Sequence, residues 1–318
     1  MRPRDIALAI GVAALWGGNF VVIAVGLDHF PPLTFNALRF GLAALPAVFL
    51  VGPPRVPWRW VLAVGAALGV AKFSLLFAGM AAGMPAGLSS LVLQAQAVFT
   101  VLFAVPLLRE RPGRRRLVGL AVAATGLAVV AADLGPRRPA DAFALVVAAA
   151  AAWGLANVAT RKAAPRDTLR FMVWVSAAAT PPLVVLSLLV DGPHAGWEAV
   201  RSADAAALAA VLFVAWVATL CGFGAWGRLI TRYGASTVAP FSMLVPFFGI
   251  ASAAVFLGEP VRLADVAGGV LVVGGVLWGL DAGFARERPN FSRTVKKLRS
   301  VTRKFLRVQH LPRVGPRR

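Results

Sequence analysis

The chain has 318 residues, 59% of them hydrophobic and only 14% charged, a balance that excludes an ordinary soluble domain and predicts a polytopic membrane protein. A net charge of +20 would suit nucleic acid, but twelve of the 33 Lys and Arg follow Ala285 and most others fall in alternate loops, which is a membrane-topology pattern and not a nucleic-acid footprint. The single cysteine, Cys221, lies in an apolar run, so neither an intrachain disulfide nor a thiolate metal site is available.

Runs of membrane length, about 20 residues at about 1.5 Å rise per residue, recur about ten times with short loops between them. Arg2 and Arg4 precede an apolar segment that continues through Trp16, Gly17, Gly18 and Asn19 without a cleavage site, so it reads as an uncleaved first helix over residues 6–26. A turn with Asp28, His29 and Pro31-Pro32 leads to a second span over 33–51, which contains Asn36 and Arg39. The third, over 60–82, carries Lys72 near its middle. The fourth, over 88–108, follows Met84-Pro85-Ala86-Gly87 and ends in Arg109-Glu110-Arg111-Pro112. Ser90 and Gln94 share one side of it, while Ser89, Gln96 and Thr100 share the other, so it should be enclosed by other helices.

The fifth span, over 117–132, is small and Gly-rich, and residues 133–141 read as the link between two halves. The sixth holds Trp153, Gly154 and Asn157 and ends at Arg161-Lys162; the seventh covers 171–190, followed by a polar loop from Asp191 to Asp204. The eighth covers 205–226, the ninth 235–257 and the tenth 263–284. Pro240 and Pro246 predict a kinked ninth helix rather than two spans. With the N-terminus inside, the internal loops collect 15 Lys and Arg even without the tail, against four outside: Arg137, Arg138, Arg201 and Arg262.

Leu15-Trp16-Gly17-Gly18-Asn19 finds an echo in Ala152-Trp153-Gly154-Leu155-Ala156-Asn157, and Glu110, Gly119 and Gly126 match Glu259, Gly268 and Gly275 at a constant offset of 149. Five spans per half place the second half upside down relative to the first, a plan of secondary transporters in which substrate binds at the repeat interface. The expected fold is therefore all-α and polytopic, with ten transmembrane helices in two inverted five-helix repeats, 1–135 and 136–284, and both termini cytoplasmic. A basic tail over 285–318 follows, where apolar Phe291, Val295, Leu298, Val301, Phe305 and Val308 permit either an amphipathic helix on anionic lipid or a disordered extension.

Asn19-Phe20-Val21-Val22, Leu38-Arg39-Phe40 and Gly83-Met84-Pro85-Ala86-Gly87-Leu88 with Leu91-Val92-Leu93-Gln94-Ala95-Gln96-Ala97 closely resemble the EamA family of the drug/metabolite transporter superfamily. The second half resembles it through Trp153-Gly154, Asn157 and the stretch from Pro240-Phe241 to Gly258-Glu259-Pro260. The resemblance implies a ten-helix inverted-repeat carrier exporting amino acids or related small metabolites, of the O-acetylserine and cysteine kind, across the cytoplasmic membrane. Two departures from the family pattern are Lys72, where an amide is usual, and the tail after Ala285.

Arg39 and Lys72 are the basic residues deep inside spans, where a charge costs about 2.5–3.5 kcal/mol on insertion scales, and no Asp or Glu lies deep enough to neutralise them. They either form a positive cavity for a substrate carboxylate or bond helix-terminal carbonyls and snorkel. Gln94 and Gln96 either bond the polar part of a substrate or lock helices together. Asn19 and Asn157, with Trp16 and Trp153 one turn earlier, are candidates to line opposite gates, although interfacial anchoring also accounts for membrane tryptophans. Glu110 and Glu259 each close a predicted helix and need basic neighbours: Arg109, Arg111 and Arg114 for Glu110, and Arg262 for Glu259, as structural pairs or gates.

His29, His194 and His310 fall in loops or the tail, so neither a metal site nor a histidine relay is indicated, and no cofactor or catalytic residue is expected. A membrane enzyme acting on a lipid-linked substrate would need acid/base or metal motifs at the membrane edge, and a non-transporting receptor leaves the repeat unexplained. A carrier of another substrate class remains the alternative.

Overall fold

The computed structural model describes residues 1–134 and 139–284, and every regular element among them is helical. The expectations placed on Arg137, Arg138 and the 285–318 tail lie outside the described residues. Among the described residues, nine helical stretches are long and apolar enough to cross a membrane: α1 (Pro3–His29), α2 (Pro32–Val51), α3 (Trp58–Ala81), α4 (Ala86–Leu108), α5 (Arg114–Ala132), α6 (Ala140–Ala163), α7 (Thr168–Val190), α8 (Ala205–Tyr233) and α9 (Ala239–Leu257). The last helix, α10 (Leu263–Phe284), contains a shorter apolar run, Leu263–Gly279.

Local chemistry sets the ends. Pro3 and Pro32 occupy first turns, where no amide donor is needed, and Asp167 and Asp204 cap α7 and α8 by accepting the Arg170 and Ala207 amides at 3.0 and 2.8 Å. Gly52, Gly234 and Gly258 end α2, α8 and α9 at positive φ, which a side chain would strain. His29, placed in a turn by the sequence, forms the last residue of α1. The stretch read as a polar loop after α7 folds into a short helix, Pro193–Arg201, none of whose residues is buried.

Four departures from α-helix geometry matter. Gly65–Lys72 in α3 and Phe213–Cys221 in α8 widen to π turns, whose surplus residue leaves carbonyls free for other donors. Asn36 Nδ2 takes the freed Gly69 carbonyl at 3.1 Å, and Thr219 Oγ1 takes that of Val214 at 2.8 Å. Leu93–Ala95 in α4 and Ala239–Leu244 in α9 tighten to 3₁₀ geometry. In the second of these Pro240 lies in the first turn, where its missing amide is not needed.

Close packing depends on missing side chains. Gly126 meets the Gly268 carbonyl so tightly that a Cβ there would lie 2.6 Å from its oxygen, and Gly119 meets Gly275 in the same way one turn-pair along. Because 119 faces 275 while 126 faces 268, α5 and α10 run antiparallel. Gly17 of α1 lies on Phe248 of α9, and Gly154 of α6 lies on Phe99 of α4. The remaining major contacts pair α2 with α7, α4 with α9, α1 with α8, α3 with α6, α2 with α8 and α3 with α7.

The interior is aromatic. Phe35 stacks between Phe30 and Phe77 at 5.8 and 5.1 Å, filling the space left by Gly26. Outside, Phe49, Leu50, Leu189 and Phe256 are 82, 85, 76 and 74% exposed. In water that apolar surface would cost about 25 cal/mol per Å², whereas against lipid it costs nothing, so these faces belong in the hydrocarbon.

Candidate functional site

The site is built around the ring of Phe73, which follows the π turn of α3. Arg39, from the buried face of α2, brings its guanidinium carbon to 3.6 Å from the ring centroid, and Lys72 brings Nζ to 3.2 Å. Both cations are almost wholly buried, at 3 and 4% exposure. Arg39 Nη2 donates to Thr219 Oγ1 of the α8 π turn at 3.2 Å, while its Nε and Nη1 are buried without partners. Lys72 Nζ also stands 4.9 Å from the Trp153 ring of α6. Among the described residues, none of the ion pairs includes Arg39 or Lys72. Ring contacts return about 0.5–2 kcal/mol each against an insertion cost of about 2.5–3.5, so the residual demand is for an anion.

One turn beyond Trp153 lies a polar cluster. Asn157 Nδ2 donates to Gln96 Oε1 at 2.6 Å and to Thr100 Oγ1 at 3.0 Å, joining α6 to α4. Gln94, on the other side of α4, is buried and donates to the Ser242 carbonyl at 3.2 Å, at the 3₁₀ break of α9. Both amides thus bridge helices in this conformation. Asn19 is buried with Oδ1 unpartnered. Trp16 donates Nε1 to the Ala218 carbonyl at 3.0 Å and packs on Phe223 and Trp226. Of the eight sequence-derived residues, Arg39, Lys72 and Trp153 form one group, Gln96 and Asn157 a second, and Trp16, Gln94 and Asn19 make separate contacts.

The two glutamates close opposite ends, with partners other than those expected. Glu110 bonds Arg161 of α6 and lies 3.9 Å from Arg116 of α5, not against Arg109, Arg111 or Arg114. The left-handed turn at Arg109 swings the chain so that residues from other helices reach the carboxylate first. Glu259 accepts the Ala86 and Gly87 amides at 2.7 and 2.9 Å, at the start of α4. Its expected partner, Arg262, instead pairs with Asp133 at 3.0 Å. A helix N-terminus offers unpaired N–H groups and positive dipole, which satisfies Glu259 without an arginine.

Sequence reading missed Phe73, Thr219 and Ser242. The first had a signal: each buried cation is followed directly by a phenylalanine, Arg39-Phe40 and Lys72-Phe73. Thr219 and Ser242 gave none, since their role depends on where the π and 3₁₀ turns fall.

Among the described residues, nine apolar helices of membrane length with apolar faces turned outward define a multi-pass membrane protein. The EamA-like transporter family model matches residues 4–132 and 142–279, and the chain belongs to that family. It is 41% identical over 282 residues to a probable amino-acid metabolite efflux pump of Salmonella typhimurium, covering 87% of this chain and 94% of that one. The identity is 38% to a protein of the same description in Escherichia coli K12, with the same coverage. It is 28% identical to a probable terminal-alkyne amino-acid exporter of Streptantibioticus cattleyicolor, over 82% of this chain and 88% of that one. A crystal structure covering 91% of this chain and 99% of its own has a TM-score of 0.60 at 19% identity, a likeness of fold alone. The chain is accordingly a transporter of the cell membrane and not an enzyme.

Proposed function

We propose that the chain exports small carboxylate-bearing metabolites, amino acids or close relatives such as O-acetylserine and cysteine, across the cytoplasmic membrane by alternating access. The observation that carries this is the pair of buried cations, Arg39 and Lys72, on one ring and in no ion pair among the described residues. The descriptions of the bacterial relatives support the substrate class.

The working architecture is two inverted five-helix repeats with both termini cytoplasmic. Its support is the exchange of partners: α1 packs on α9 and α8 as α6 packs on α4 and α3. The π turns and 3₁₀ breaks also recur about 149 residues apart. Glu259 acts as the outer clasp, pinning α4 to the end of α9, and Glu110 as the inner one, joining α4 to Arg161 and Arg116. Asn19, Asn157, Gln94 and Gln96 line the path between them, with Trp16 and Trp153 flanking it. Export is facilitated or driven by substrate exchange, because no carboxylate or histidine lies deep in a span to relay protons. Following labelled amino-acid metabolites out of proteoliposomes tests the proposal; the purified protein should accelerate efflux of carboxylates over protein-free vesicles, and equal rates would refute it.

A further inference from the structure

We infer that a crevice between α7 and α8, on the membrane side where α1 begins, holds the phosphate headgroup of an anionic phospholipid. The crevice has a volume of about 440 Å³, and neither Arg39 nor Lys72 lines it. Its side of the membrane follows from α1, whose Asp5 lies 3.5 Å from Arg232 and accepts the Tyr233 hydroxyl at the end of α8.

Charge points to an anion. Arg166, Arg228 and Arg232 line the crevice against a single carboxylate, that of Asp167. Asp167 is engaged by its own helix: it accepts the Arg170 amide at 3.0 Å and lies 3.6 Å from Arg170 Nε. Among the described residues, the ion pairs include neither Arg166 nor Arg228, so the lining carries two uncompensated guanidiniums. A guanidinium presents paired N–H donors that match two phosphate oxygens, and the Thr168 hydroxyl in the same lining adds a further donor.

Shape points to a lipid as the bearer of that phosphate. At Gly227 the two helices touch, since a Cβ there would lie 2.8 Å from that of Thr168. At Gly224, about one turn deeper in the membrane, a Cβ would meet only the Leu169 methyls, at 3.7 and 3.8 Å, so the gap stays open. Deeper still, Cys221 and Val217 are exposed. Spacings of 4, 3 and 4 from Val217 through Cys221 and Gly224 to Arg228 put all four on one face of α8. The basic crevice therefore opens along a face that hydrocarbon covers, the arrangement in which basic pockets between membrane helices take lipid headgroups, with room for an acyl chain beside Gly224.

Cys221, the one cysteine of the chain, lies about 10 Å along α8 from Arg228 at about 1.5 Å rise per residue, which is the depth of an acyl chain whose phosphate sits at Arg228. The full-length protein with a bimane on Cys221 is placed in phosphatidylcholine vesicles containing a minor fraction of phosphatidylglycerol, with brominated chains on one lipid or the other at equal bromine content. Brominated phosphatidylglycerol should quench the bimane about twofold or more beyond brominated phosphatidylcholine. Arg166→Gln combined with Arg228→Gln should abolish the excess. Arg55→Gln combined with Arg111→Gln, which removes the same charge from the same membrane side outside the crevice, should leave it. Quenching by brominated phosphatidylcholine should stay constant throughout, showing that Cys221 still faces lipid in each variant. Equal quenching by the two lipids in wild type overturns the inference. So does an excess that both Gln pairs lower alike, which is a general attraction to basic surface, and so does one that survives both. Loss of the excess to inorganic phosphate at matched ionic strength would assign the crevice to a soluble phosphate and overturn the lipid.

Discussion

Arg39 and Lys72 reach the same aromatic ring, that of Phe73, at 3.6 and 3.2 Å from its centroid, although one is carried by α2 and the other by the π turn of α3. Two like charges share one π surface, and among the described residues neither forms an ion pair with an acid, so the ring is their common partner.

Phe73→Leu should therefore destabilise the empty protein by about 1–4 kcal/mol, from two ring contacts worth about 0.5–2 each. Thermal unfolding in detergent should show the loss, and a carboxylate ligand should restore part of the melting temperature, more in the variant than in wild type. An unchanged melting temperature would mean that the ring contacts carry no energy.

The glycine crossing between α5 and α10 gives a packing test. Gly126→Ala places a methyl 2.6 Å from the Gly268 carbonyl oxygen, backbone that cannot yield, and should cost about 1–3 kcal/mol. Gly274→Ala, on α10 with nothing within 4 Å, should be neutral or slightly stabilising. Equal melting curves for the two variants would contradict the crossing.

Glu259→Gln retains the shape of the clasp but keeps one oxygen for two amides, so one charge-assisted bond becomes neutral and the other N–H is left facing the Gln NH2, a loss of about 1–3 kcal/mol. With Cys221 replaced by Ser, a cysteine at Leu88 should react faster with a membrane-impermeant maleimide in the variant than with Glu259 intact. No change in labelling would leave Glu259 a passive cap.

Asp204 sets an acid limb. The Ala207 amide holds its carboxyl below the ordinary carboxylate value, His29 adding to this and desolvation opposing it. A depressed folded value means stability that is present above the unfolded value, about 3.9, and lost as pH falls through the folded one. Asp204→Asn should flatten the fall in melting temperature below about pH 4; an identical acid limb would show that the cap does not couple to folding.

The helices were legible because hydrophobic length is written locally: α1, α2 and α7 begin or end within three residues of the spans read from sequence. Arg39 and Lys72 were legible for a related reason, as charges that hydrocarbon does not tolerate without a purpose. The partners of Glu110 and Glu259 were not, because sequence proximity favoured Arg109 and Arg262 while the fold supplied Arg161 from α6 and two amides from α4. The π turns were invisible for a different reason: an extra residue per turn has no compositional mark, yet it frees the carbonyls that Asn36 and Thr219 take and so sets the direction of Arg39.

The most direct test is the efflux of a labelled carboxylate metabolite from proteoliposomes carrying equal, correctly inserted amounts of wild type and Arg39→Gln. The account predicts that wild type accelerates efflux and that removing the guanidinium, with its unpartnered donors, lowers it by about tenfold or more while insertion is intact. Efflux through Arg39→Gln at the wild-type rate would contradict it and leave Arg39 a structural cation.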